Sequence, residues 1–163
     1  MARFTVRTEG VIVERVDVER DISAAPEVVW HLVSDLPRMG EWSPENLGGE
    51  WVKGATGAAV GARFKGRNKN GSKAWSSSVK INVVQAPQKF SFALMALGKN
   101  WCDWEYEITP TATGCSVTHR WVDHRSKSAN YIGKLVSGVS DRAEHNRRNM
   151  EATLKNLKAA AEN

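Results

Sequence analysis

The sequence is poor in several features that mark whole classes of protein. Two cysteines in 163 residues, Cys102 and Cys115, do not make a disulfide framework. No stretch approaches the ~18 consecutive apolar residues of a membrane-spanning helix. The opening MARFTVRTEG lacks the apolar run of a secretory signal, so the expected location is the cytoplasm. Long blocks of like charge are also missing: 23 Lys and Arg are interspersed with 18 Asp and Glu, and the net charge of +5 reads as a solvated surface before it reads as an anionic partner's footprint. Chemical motifs are equally sparse. The segment from Gly66 to Lys73, GRNKNGSK, lacks the Gly-Lys-Ser/Thr order of a phosphate loop and leads into a strand, and no Gly-x-Ser-x-Gly elbow occurs. His119 and His124 are too loosely spaced for a strand-borne metal pair and neither cysteine joins them, so neither metal nor cofactor is expected.

What the chain has is tryptophan: seven residues, against two tyrosines and four phenylalanines. These side chains need an interior. With 41% hydrophobic and 25% charged residues, the composition fits one domain over residues 1–163, its core running from about 13 to 160. A chain of this length buries roughly two-thirds of its unfolded surface.

Val16, Val18 and Ile22 alternate with Asp17, Glu19 and Asp21, the period of a half-buried strand, with Arg20 breaking its apolar side. Ser23 before Ala24-Ala25-Pro26-Glu27 is a helix start, because Pro26 loses no needed N–H there and Glu27 suits the positive helix end. Val29, Trp30, Leu32, Val33 and Leu36 continue it until Pro37 disfavours helical geometry at Leu36. A second short helical turn then carries Met39 and Trp42. Asn70-Gly71 predicts a two-residue hairpin turn. That turn would pair Gly66 with Trp75, Phe64 with Ser77 and Ala62 with Val79, on one face with Ile81 and Val83, leaving Arg63, Lys65 and Arg67 on the other.

Further strands show as alternation of Phe90, Phe92 and Leu94, of Cys102, Trp104, Tyr106 and Ile108, and of Cys115, Val117, His119 and Trp121. Pairing of the last two places His119 near Trp104, within one residue of register, and puts the cysteines at opposite hairpin ends, too far apart to bridge. From Tyr131 the spacing changes to three and four. Ile132, Val136, Val139, Ala143, Asn146, Met150, Leu154, Leu157 and Ala161 form the inward face of one long helix, roughly 45 Å at ~1.5 Å per residue. Gly133 and Gly138 weaken its first turns, and Asp141 to Glu144 offers a restart.

A strand, two short helices, six strands in hairpin succession and a long C-terminal helix make an α+β fold with an antiparallel sheet. Ile22 to Trp30 (ISAAPEVVW), Ser34-Asp35-Leu36-Pro37-Arg38 leading to Glu41-Trp42-Ser43-Pro44, Gly61 to Gly66 (GARFKG), and Gly114 opening a strand to Trp121 carry a family pattern. In these the chain resembles the START-like helix-grip (SRPBCC) superfamily and, within it, the polyketide cyclase/dehydrase and lipid-transport family. The resemblance implies a helix-grip fold: a curved antiparallel sheet wrapped around a long C-terminal helix, with two short helices after the first strand and a ligand cavity between sheet and helix. The family resemblance spans carriers, receptors, cyclases and ribosome-associated proteins, so it leaves open whether the protein is an enzyme.

Joined to the strand parities, the implied cavity is lined by Phe64, Trp75, Ser77, Phe92, Trp104, Tyr106, His119, Trp121, Asn146 and Met150, with Trp42 and Glu45 at its entrance. The first expectation is binding of a hydrophobic or aromatic small molecule, lipid or polyketide-like. A cyclase or dehydratase-type enzyme is the alternative, with His119 and Tyr106 as its suspects, although a packed core histidine is the plainer reading of His119. A third reading is a ribosome-, RNA- or protein-binding module. For it Arg63, Lys65, Arg67, Lys69 and Lys73, with Arg147 and Arg148, would supply a basic surface for RNA or anionic lipid. A solvated strand face with edge lysines explains the same residues. No DNA partner is expected, no catalytic residue is assigned, and the oligomeric state is left open.

Overall fold

The computed structural model describes the backbone of residues 2–8 and 11–163, and side chains from Val13 onward. Its strands are β1 (Ala2–Thr8), β2 (Val11–Ile22), β3 (Asn46–Val52), β4 (Arg63–Asn70), β5 (Lys73–Gln85), β6 (Lys89–Ala96), β7 (Lys99–Thr111) and β8 (Gly114–Asp123). The helices are α1 (Pro26–Ser34), a 3-10 helix at Leu36–Glu41, α2 (Lys127–Ser137) and α3 (Arg142–Ala161). All strand pairings are antiparallel, in one sheet ordered β1-β2-β8-β7-β6-β5-β4-β3. Strands β3 to β8 are successive hairpins, and β2 returns to pair with β8, so the two helices after β2 are carried across the end of the sheet. This is the α+β helix-grip architecture.

Local chemistry accounts for the helix boundaries. Pro26 opens α1 at a position whose N–H has no partner to lose, and Glu27 sits in the first turn. Val29, Trp30 and Val33 share the buried face, where Trp30 meets Phe90 edge to face at 6.0 Å. On α3, Asp141 accepts a hydrogen bond from the Glu144 N–H at 3.0 Å, a helix-start cap. Ala143, Asn146, Met150, Leu154 and Leu157 are buried along that helix as the spacing requires.

Four expectations need correction. The long C-terminal helix is two helices: Gly138 takes the left-handed conformation (φ +73) that ends α2, and the Asp141 cap starts α3 afresh. The inward face assigned to its first part is not buried: Ile132 and Val136 are 41% and 45% exposed, and Val136 reaches only the cavity rim. The β4–β5 turn is Gly71-Ser72 rather than Asn70-Gly71. Asn70 pairs with Lys73, so Phe64 faces Val79, Gly66 faces Ser77 and Asn68 faces Trp75. Gly71 supplies the positive φ there, and the shift of two residues preserves which side chains share a face. Finally, a bulge between Ile81 and Val83 switches the parity of β5, and Val84 packs on the core in place of Val83. Strand β1 is an addition to the order read from the sequence.

Candidate functional site

The concave face of the sheet is filled along only part of its length. Where the α1 and α3 apolar faces meet it, Phe90, Ile108, Cys115, Val117, Leu154 and Leu157 close up completely. Two residues further along each strand the filling stops. Phe92 on β6, Tyr106 and Trp104 on β7, and His119 and Trp121 on β8 line a cavity of about 340 Å³, a volume suited to a small organic ligand. Strands β4 and β5 add Phe64, Trp75, Ser77 and Val79; α3 adds Asn146, Asn149, Met150 and Thr153; and α2 closes the rim with Gly133, Val136 and Ser137.

The expected set of lining residues is gathered in one place with one exception. Phe64, Trp75, Ser77, Phe92, Trp104, Tyr106, His119, Trp121, Asn146 and Met150 all face the cavity, and Glu45 lies on its rim. Trp42 does not: it is 2% exposed, packed in the core cluster outside the lining. The 3-10 helix turns it inward under the Arg38 guanidinium, 5.9 Å above the ring, and its carbonyl accepts from Asn156 Nδ2 at 3.0 Å. Residues that sequence reasoning passed over are Trp101, Arg125, Arg142, Asn149 and Thr153. Helical spacing from Asn146 placed Asn149 one turn and Thr153 two turns away on the same face, a usable signal. Arg125 lies between elements and carried none.

Tyr106 and His119 are direct cross-strand partners, their rings stacked at 4.0 Å and 14°. Trp104 tilts against the other side of the pair, 5.5 Å from His119. His119 was expected beside Trp104; that contact is diagonal and the one to Tyr106 is direct. Both imidazole nitrogens are buried with no hydrogen-bond partner among the described residues, an arrangement that costs free energy unless something else supplies the bonds. Burial pushes the imidazole down to about 3, so the ring is neutral near neutral pH. Burial likewise raises the Tyr106 phenol above its ordinary range and pushes the Cys102 thiol up to about 12. The wall is therefore aromatic, neutral and protonated: it can stack and hydrogen-bond, but it holds no ready anion or nucleophile.

Charge is confined to the rim. Glu45 accepts from Arg142 Nη1 at 3.0 Å, His145 Nε2 at 2.8 Å and Asn149 Nδ2 at 3.0 Å, which clips the segment before β3 onto the first turns of α3. Arg125, also in the lining, donates from Nε and Nη2 to both Asp123 carboxylate oxygens, at 2.8 and 2.7 Å. Asn70 Nδ2 donates to the Ser137 carbonyl at 3.0 Å and ties the end of α2 to the β4–β5 hairpin. Among the described residues no group of three or more His, Cys, Asp or Glu side chains is arranged to hold a metal ion. No helix there is long and apolar enough to cross a membrane.

The fold agrees with that of known proteins. The family model for polyketide cyclase / dehydrase and lipid transport matches residues 13–162. The chain belongs to that family. Among solved structures, family-like folds superpose over most of its length. The di-domain ARO/CYC StfQ from the steffimycin biosynthetic pathway matches with a TM-score of 0.70 and 17% identity, over 92% of this chain and 51% of that one. The di-domain ARO/CYC BexL from the BE-7585A pathway gives 0.70 at 12% identity, over 93% and 50%. The Polyketide_cyc-like protein Cgl2372 from Corynebacterium glutamicum gives 0.54 at 26% identity, over 90% and 88%. No curated protein matches the chain.

Proposed function

We propose that this polyketide cyclase/dehydrase-family chain binds a hydrophobic or aromatic small molecule, lipid or polyketide-like, in the cavity between α2, α3 and the concave sheet. The observation that carries the reading is the interruption of the core. Phe92, Trp104, Tyr106 and Trp121 line a volume that no side chain fills, beside His119 nitrogens that have no hydrogen-bond partner among the described residues. A ligand that buries apolar surface there gains about 25 cal/mol per Å², and Asn146 and Ser77 are polar groups able to orient it. The test is native mass spectrometry and solvent extraction of the purified protein, with tryptophan fluorescence against a panel of lipids and polycyclic aromatics. A retained apolar compound and saturable quenching are expected. An empty protein that responds to none of the panel would overturn the reading.

Catalysis is the second reading, favoured by the ARO/CYC neighbours and by the Tyr106–His119 stack on the cavity wall. In that case Tyr106, held protonated, is the proton donor, and His119 is too weak a base to abstract a proton efficiently near neutral pH. Turnover of a candidate polyketide that survived both Tyr106→Phe and His119→Ala would remove this assignment.

A further inference from the structure

Arg125 sits at the junction of β8 and α2, its side chain only 9% exposed, and it lines the cavity. Two of its nitrogens are committed to Asp123. The third, Nη1, has no hydrogen-bond partner among the described residues and lies against α2, where a Cβ added to Gly133 would stand 3.0 Å from it. Gly133 itself borders the cavity. A glycine inside a helix is unfavourable compared with alanine, and here it leaves the space that the guanidinium end occupies.

We propose that Arg125 Nη1 is the anchor for an acceptor oxygen of the ligand, a neutral carbonyl such as a ketone or quinone, and that Gly133 keeps that donor accessible. This rests on the reading of the cavity as a ligand site and adds the orientation of the ligand within it. The partner chemistry follows from charge. Arg125 and Asp123 form a bidentate pair whose charges cancel, so the remaining Nη1 is a donor without surplus positive charge. A carboxylate placed there would leave water and still face Asp123, whereas a carbonyl keeps most of the gain of a charge-assisted bond with less desolvation. The other cavity arginine, Arg142, is turned to Glu45. Trp121, 5.9 Å beneath the Arg125 guanidinium, holds its plane.

The experiment compares 2-acetylnaphthalene, 2-ethylnaphthalene and 2-naphthoate by fluorescence titration on the wild-type chain, Gly133→Ala and Arg125→Lys. Wild type should bind the ketone about tenfold more tightly than the hydrocarbon, and more tightly than the carboxylate. Gly133→Ala keeps the charge and favours the helix, so its melting temperature should be unchanged or higher. Its added methyl group crowds Nη1 against a side chain that Asp123 holds in place. The ketone preference should fall to about twofold in both variants, with hydrocarbon affinity nearly constant. Equal wild-type affinity for ketone and hydrocarbon, a preference that persists in both variants, or tightest binding of the carboxylate would each overturn the assignment while leaving the cavity reading standing. Failure of all three probes to bind would overturn both.

Discussion

The two ends of the same concave sheet differ in what the helices bring to them. At one end α1 supplies Val29, Trp30 and Val33 and α3 supplies Leu154 and Leu157, and the strand residues beneath are sealed. At the other, the same α3 turns Asn146, Asn149 and Thr153 toward the sheet, and α2 contributes little but its edge while exposing Tyr131, Ile132, Leu135 and Val136. The strand side chains grow bulkier, not smaller, toward the open end: Ile108 gives way to Tyr106 and Trp104 on β7 and Val117 to His119 and Trp121 on β8, while β6 carries Phe90 and then Phe92. The cavity is therefore a property of the helices. Apolar strand residues build the wall, and polar residues at core positions of α3, together with a short and lightly packed α2, keep it from closing.

Truncation should separate the ends most sharply. Leu154→Ala at the sealed end should cost about 2–5 kcal/mol in chemical denaturation and leave probe affinity intact if the fold survives. Phe92→Ala at the open end should cost roughly half as much, since one side of that ring already faces empty volume, while weakening ligand binding strongly. Equal costs would break the comparison.

Acid should find the open end first. The His119 imidazole lies at about 3 in the fold against an ordinary 6.5. Between these values the unfolded chain binds the extra proton, so stability rises with pH and is lost as pH falls from 6.5 toward 3. The slope from this group approaches ~1.4 kcal/mol per pH unit. His119→Phe should remove that part of the slope in urea titrations at several pH values; an unchanged slope would contradict the buried, neutral assignment.

The rim clip should matter less. Glu45→Gln weakens three bonds that are only partly shielded from water, a loss of about 1–2 kcal/mol. It should speed ligand exchange in stopped-flow measurements more than it lowers stability. Asn146→Leu should move stability by less than about 1 kcal/mol while reducing probe affinity by filling the open end. Smallest of all, reversing the charges of Arg63, Lys65 and Arg67 should change stability by about 0.5 kcal/mol or less and leave apolar ligand binding as it was. Steeply salt-dependent RNA binding lost in that triple variant would instead favour the module reading.

Much of this was legible in the residues, because strand alternation repeats every two positions and survives errors of register. The β4–β5 turn was placed one residue off, which shifts the register by two, yet Phe64, Gly66 and Ser77 still shared a face. Tyr106 and His119 were assigned inward by parity alone. Four features were not legible for physical reasons. The bulge at Ile81–Val83 leaves no mark in a pattern of valines and isoleucines. The break between α2 and α3 depended on whether Gly138 would take a left-handed conformation or be carried within a helix, a choice made by tertiary contacts such as Asn70 to Ser137. Trp42 looked like an entrance residue because it follows a Pro-broken helix, but the 3-10 turn rotates it into the core. Arg125 belongs to no periodic element, and its burial follows from tertiary contacts with Asp123, the Trp121 ring and Gly133 of α2.

The central claim is that one end of the sheet takes a ligand and the other does not, and the tryptophans report on both. In a 15N spectrum of the indole N–H groups, titration with 2-acetylnaphthalene should shift Trp75, Trp101, Trp104 and Trp121, which line the cavity, and leave Trp30 and Trp42 in place. Shifts confined to Trp30 and Trp42, or spread evenly over all seven, would contradict it.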